Sequence, residues 1–284
     1  PRREPYIWRQ PNYTKSAPMK RDYRIIWHQT IDSTNSEAAR HVSCLDNLSV
    51  IAAERQTAGR GQRGNRWTAD AGENLTFSVV LKPGRDGIPA IASADQFRIS
   101  EIAALSVSFF LEDMGIDSEI KWPNDIYCGD RKICGILIEN CVRDGLLTWS
   151  IIGIGINLNQ TVFPPDIPNP VSVKTLTGKD TCLRDALHGY LEALDRSIGI
   201  FTDEGGEALR GMYLDRMYRK DELHLYADLT GSPSSPSEEA VPPRFFGIIR
   251  GITDNGCLEM ELEDGSLRVC AFKEIKYIID DFLL

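Results

Sequence analysis

Glu54-Arg-Gln-Thr-Ala-Gly-Arg-Gly-Gln-Arg-Gly-Asn-Arg-Trp67 is the stretch on which the reading of this chain turns. Gly59, Gly61 and Gly64 open backbone conformations closed to other residues and let a ligand approach bare N–H groups. Arg60, Arg63 and Arg66 stand among them, each a fixed cationic fork suited to phosphate or carboxylate. Gly59-x-Gly61-x-x-Gly64 formally matches the dinucleotide fingerprint, but that motif needs a helix directly after it to seat a pyrophosphate. Here Thr68-Ala-Asp-Ala-Gly-Glu-Asn74 follows, then the strand-like Leu75 to Leu81, so the doubly wound nucleotide fold is excluded. No P-loop occurs anywhere, and the partner motifs of a kinase glycine loop are missing. On its own the stretch fits a nucleotide-wrapping loop and a solvated surface loop equally; an Arg-Gly nucleic-acid segment also fits its composition.

The runs on either side, Leu48 to Glu54 and Leu75 to Leu81, read as strands, so the loop is anchored at both ends and free in its middle. Upstream, Arg24 to His28 reads as a strand and Asp32-Ser-Thr-Asn35 as a helix start, with Thr34-x-x-Glu37 spaced as a capping box. That helix start is either purely structural or a polar receptor whose free N–H groups meet a small ligand. Residues 1–22 show no period and are expected to be disordered, with Met19 an alternative start. Downstream, Ala94 to Met114 predicts a helix ending before Gly115.

Ile120-Lys-Trp-Pro-Asn-Asp-Ile-Tyr127 and Lys132-Ile-Cys-Gly-Ile-Leu-Ile-Glu139 flank Gly129-Asp130, which predicts a hairpin. It would gather Lys121, Asn124 and Asp125 near one end. Lys132 opens an apolar strand, where its ammonium needs an anionic partner unless it lies exposed at the strand end. In Ser150-Ile-Ile-Gly-Ile-Gly-Ile-Asn157, residues two apart share a face. Ile152, Ile154 and Ile156 therefore point one way, and Gly153, Gly155 and Asn157 the other. Glycines weaken a strand, so the bare face implies a ligand or close packing against it.

Residues 161–179 read as a proline-rich connection, followed by a long amphipathic helix from Thr181 and a second from about Glu207 to Arg216. Beyond Arg219, short alternating strands with turns at Asp254-Asn-Gly256 and Asp264-Gly265 suit a small barrel, with a flexible insert at 231–243. The chain has 284 residues, 42% hydrophobic and 26% charged, enough for one large and one small domain. A net charge of −9 argues against broad nucleic-acid or anionic-membrane binding, so clustered arginines serve a small anion. Seven cysteines without a Cys-x-x-Cys pair suit reduced thiols in a cytoplasm, and no apolar run is long enough to cross a bilayer.

Taken together, Asp32-Ser-Thr-Asn35, Gln56 to Trp67, Lys121-Trp-Pro-Asn-Asp125, Lys132 to Glu139 and Gly153-Ile-Gly-Ile-Asn157 resemble the biotin protein ligase family, in order and spacing over about residues 23 to 200. The resemblance implies an α+β fold: a mixed sheet with packed helices, of the class II aminoacyl-tRNA synthetase-like type shared by biotin and lipoate ligases, plus a small C-terminal SH3-like β-barrel. It implies an extension at 1–22, a catalytic domain at 23–218 and the barrel at 219–284. The implied activity is ATP-dependent conversion of biotin to biotinyl-5′-AMP, with Mg2+, then transfer to a lysine of a biotin carboxyl carrier domain. The resemblance is to the short class without an N-terminal DNA-binding domain, so no DNA or membrane partner is expected, and a homodimer is compatible.

By resemblance, Lys132, Arg60 and Arg63 meet the reacting anions; Asp125 is expected either to receive and orient the incoming lysine or to be a hairpin-turn residue bonded to its own backbone. Ser33, Thr34, Asn35, Gln56, Gly59, Arg60, Gly61, Gln62, Lys132, Gly135, Gly153 and Gly155 are expected around biotin. Arg63, Trp67, Asn124, Lys132 and Asn157 are expected around ATP, with no resident metal. Gln62 departs from the family, where an arginine is frequent, which predicts looser retention of the intermediate. Two rivals stay open: a lipoate or octanoate ligase or transferase of the same fold, and a non-catalytic nucleic-acid module.

Overall fold

The computed structural model describes residues 21–165, 167–230 and 242–279. Nearly all of the expected N-terminal extension and of the 231–243 insert lies outside them. The order is β1 (Ile25–Ile31), α1 (Thr34–His41), β2 (Ser49–Gln56), β3 (Leu75–Leu81), α2 (Phe97–Asp113), β4 (Glu119–Lys121), β5 (Asp125–Cys128), β6 (Arg131–Arg143) and β7 (Leu146–Ile156). Then come α3 (Val173–Thr177), α4 (Leu183–Asp203), α5 (Gly206–Asp215), β8 (Leu223–Asp228), β9 (Arg244–Ile252), β10 (Leu258–Leu262), β11 (Leu267–Cys270) and β12 (Ile275–Tyr277).

β1 to β7 form one mixed sheet in the order β1-β2-β3-β7-β6-β5-β4, parallel only between β1 and β2. β8 to β12 form a second, antiparallel sheet in the order β11-β10-β9-β8-β12, the SH3-like part of an α+β fold. Period-two alternation in β7 decides what the large sheet does with its faces. Ile152, Ile154 and Ile156, with Phe77 and Val79 of β3, enter the main core beneath α2 and α4. Each such fully buried side chain contributes about 1.5–3 kcal/mol. The opposite face carries Gly153 and Gly155, and α1 covers one end of it through Ala38 against Ile51, Val80 and Ile151.

Two local readings change. Ser33, not Thr34, caps α1, its hydroxyl accepting from the Ser36 amide. The chain enters the helix one residue earlier than the capping-box spacing implies, which leaves the Thr34 amide free for another partner. The 161–179 connection also contains a short helix, α3, capped by Ser172 and closed by Gly178 at φ 73.

Candidate functional site

The register of the large sheet brings the singled-out residues into rows on its glycine face. One row runs Lys121, Asp125, Gly135, Gly155, Thr76 across five strands, since directly paired residues share a face. The next row holds Leu137, Gly153 and Ser78. Motifs far apart in sequence thus meet on one surface.

What lies on the glycines is now visible. A Cβ at Gly155 would collide with the Trp67 indole, and one at Gly135 would meet that indole at 3.0 Å and the Lys132 ammonium at 3.3 Å. A Cβ at Gly153 would collide with the Asn35 amide. The cleared face is therefore covered by two side chains of this chain, Trp67 over Gly135 and Gly155, and Asn35 over Gly153. Trp67 leaves its buried Nε1 without a hydrogen-bond partner. Lys132 sits 6.0 Å from the Trp67 ring centre and pairs with Asp125 at 2.6 Å, both groups half-buried. The partner its ammonium requires is thus the aspartate expected to receive the incoming lysine.

The glycine-arginine stretch leaves β2 and closes on itself. The Trp67 amide donates to the Gly59 carbonyl at 3.1 Å and the Gly61 amide to the Asn65 carbonyl at 2.7 Å. Gln62 and Arg63 lie in the short 3-10 turn at its tip, where Gly64 takes φ 83. The Arg63 side chain lies outside the described part. Arg60 pairs closely with Glu139 and donates to the Ser36 hydroxyl at 3.2 Å, so its guanidinium rests beside α1. Ser36, Gly59, Arg60, Gly61, Arg66 and Leu137 border a cavity of about 460 Å³. A larger hollow at the far end of α1 contains Lys82, whose ammonium donates to the Val42 carbonyl at 3.0 Å and closes off that helix end.

At the start of α1 the freed Thr34 amide and hydroxyl both donate to Gln56 Oε1, at 2.8 and 3.2 Å. Ser33 is buried beside them, its amide donating to the Asp32 carboxylate. Two hydrogen bonds to Arg40, then that amide, hold the Asp32 carboxyl well below the usual range. The Asn35, Asn124 and Asn157 amides are engaged inside the protein: Asn35 on Glu139 and Leu137, Asn124 on the Ile136 carbonyl, Asn157 on the Val171 carbonyl. Lys132 is gripped from behind by the 161–179 connection, donating its amide to Asn169 and accepting from Val171.

Sequence reasoning gave no role to Glu139, Ser78 or Lys121. Glu139 ends a quoted motif, but nothing local says that it meets Arg60, 79 residues away. Lys121 lies 4.8 Å from the ring centres of both Tyr127 and Tyr277, the latter in the small sheet, and burial pushes it down to about 8 against the pull of Asp125. Among the described residues no group of three His, Cys, Asp or Glu side chains could hold a metal, and no helix is long and apolar enough to cross a membrane.

A model of the biotin/lipoate A/B protein ligase family matches residues 27–157. The chain is 31% identical over 237 residues to a biotin--[acetyl-CoA-carboxylase] ligase of Paracoccus denitrificans, covering 80% of this chain and 90% of that protein. It is 30% identical over 240 residues to the bifunctional ligase/repressor BirA of Salmonella typhimurium, covering 84% and 69%. The solved biotin protein ligase from Aquifex aeolicus, in complex with biotin and ATP, superposes with a TM-score of 0.70 at 25% identity, covering 90% of this chain and 99% of that one.

Proposed function

The chain belongs to the biotin/lipoate A/B protein ligase family, and from that premise we propose that it converts biotin and ATP to biotinyl-5′-AMP and transfers the biotinyl group to a lysine of a biotin carboxyl carrier domain. The observation that carries the reading is the convergence on one glycine-cleared face of a cation (Lys132), an aromatic ring (Trp67), a carboxylate (Asp125) and a helix start with its polar side chains.

In the first step a carboxylate oxygen of biotin attacks the α-phosphorus of ATP, the bond to pyrophosphate breaks, and no proton moves. The obstacle is repulsion between an anion and a polyanion: two unit charges 4 Å apart repel by roughly 4 kcal/mol at a surface-like dielectric. Lys132, held above Gly135, is placed to offset it, and arginines of the loop add to that field. Magnesium, as part of the ATP substrate, would shield the charge of the departing pyrophosphate. Ser33, Thr34 and Gln56 hold the ring system of biotin, with Gly59, Gly61 and Gln62 along the wall of the loop. Trp67 borders the nucleotide, while Asn124 and Asn157 brace the strands that carry Lys132.

In the second step the amine nitrogen attacks the acyl carbon and the C–O bond to AMP breaks, AMP leaving as its phosphate anion; the incoming ammonium loses two protons to water and keeps one as the amide N–H. The incoming lysine arrives charged, with an ordinary pKa of about 10.4. An anion at Lys132 competes with Asp125 for that ammonium. Asp125, so released, orients the amine. Seven unpaired cysteines support a reducing cytoplasm as the place of work.

Mass-spectrometric detection of biotinyl-AMP after mixing protein, ATP, magnesium and biotin tests the reading. Pyrophosphate–ATP exchange is expected with biotin and not with lipoate. Exchange with lipoate alone would replace biotin as the substrate, and exchange with neither would end the proposal.

A further inference from the structure

Glu139 lies on the glycine face four residues beyond Gly135, so about 13 Å of strand separates it from the row of Asp125, the carboxylate that the Lys132 ammonium reaches. It is a fixed post. Its second oxygen accepts from Asn35 Nδ2 at 2.8 Å, and Asn35 Oδ1 accepts from the buried Ser78 hydroxyl at 2.6 Å. Asn35 occupies the space that Gly153 leaves by lacking a side chain. Glu139 therefore cannot follow a moving partner. Arg60, by contrast, stands on a loop, and its side chain is 43% exposed.

A guanidinium at Glu139 is directed to the α1 end of the face, away from the Lys132 end where anions would react. We propose that Glu139 is a positioning residue acting through Arg60: it is the resting anion for this guanidinium, and a bound adenylate must draw the arginine away from it. The two charged pairs of the face have one logic. Lys132 rests on Asp125, Arg60 rests on Glu139, and each carboxylate competes with the ligand for its cation. This carboxylate competition makes release of the intermediate faster than the arginine alone would allow. The inference rests on the adenylate-forming reading and adds a residue to it.

The test is escape of biotinyl-AMP from Glu139→Gln, measured by trapping released adenylate after a chase with unlabelled biotin, in the native chain and in an Arg60→Gln background. Glutamine keeps the shape and an acceptor for Asn35, and urea unfolding checks that the fold is intact. Escape is expected to slow about two- to five-fold in E139Q, the scale of an exposed ion pair, and the effect is expected to vanish when Arg60 is already neutral. Unchanged or faster escape in E139Q, or the same change in both backgrounds, would overturn the proposal. A native chain that forms no adenylate removes the functional reading and this one together, whereas adenylate lost at equal rates from both chains removes this one alone.

Discussion

Lys132 and Asp125 can be separated by the step each affects, because one faces anions and the other an amine. Lys132→Ala is expected to slow adenylate formation by roughly 10²–10³, the scale seen when one fixed donor to a developing charge is lost. Asp125→Asn is expected to leave pyrophosphate exchange near normal and to slow transfer to a carrier lysine. Single-turnover measurement of both steps checks the split, and equal loss in both steps for D125N would leave Asp125 only a structural partner of Lys132. The residue types in these motifs were legible because chemistry restricts them: a lysine opening an apolar strand needs an anion, and glycines in a strand need something against them. Which anion and which something were not legible, since Asp125, Trp67 and Asn35 reach their places only through strand register and a loop closure.

Strand β7 makes the same point one scale up. Its alternation assigned Ile152, Ile154 and Ile156 to the core correctly, because period two leaves no freedom once one face is buried. The beginning of α1 was misplaced by one residue, because Ser33 and Thr34 are both competent caps and only the path of the chain from β1 selects between them. Likewise α3 passed unseen among prolines, although Ser172 and Gly178 mark its ends. At Gly153 the strand and helix meet. Gly153→Ala is expected to push Asn35 off β7 and lower stability by about 1–3 kcal/mol, the usual range for overpacking. Urea denaturation measures it. An unchanged midpoint would mean that α1 shifts freely on the sheet.

For the whole molecule, the decisive fact is that the two sheets are not separate bodies. Trp122 donates to the Gly256 carbonyl at 2.9 Å and packs on Phe272, while Phe97 meets both Tyr213 and Phe272. Lys121, from the large sheet, lies against Tyr277 of the small one. Its folded pKa of about 8 lies below the ordinary 10.5, so between these values the unfolded chain holds a proton that the folded chain lacks. Stability therefore carries a penalty that is full below about pH 8 and relieved as pH rises toward 10.5. Lys121→Met removes the penalty. The urea-midpoint difference between variant and native is expected to be largest near pH 7 and to shrink across that window, and a constant difference would contradict it. The barrel-like strands were readable from their turns, but this junction was not, because aromatic residues scattered through four segments carry no local signal of their meeting. Since residues of both sheets share one continuous hydrophobic interior, there is no seam along which heat can peel the small sheet away. Calorimetry should record a single endotherm, and a fragment ending before β8 should clump, its stripped aromatic wall turned outward to water.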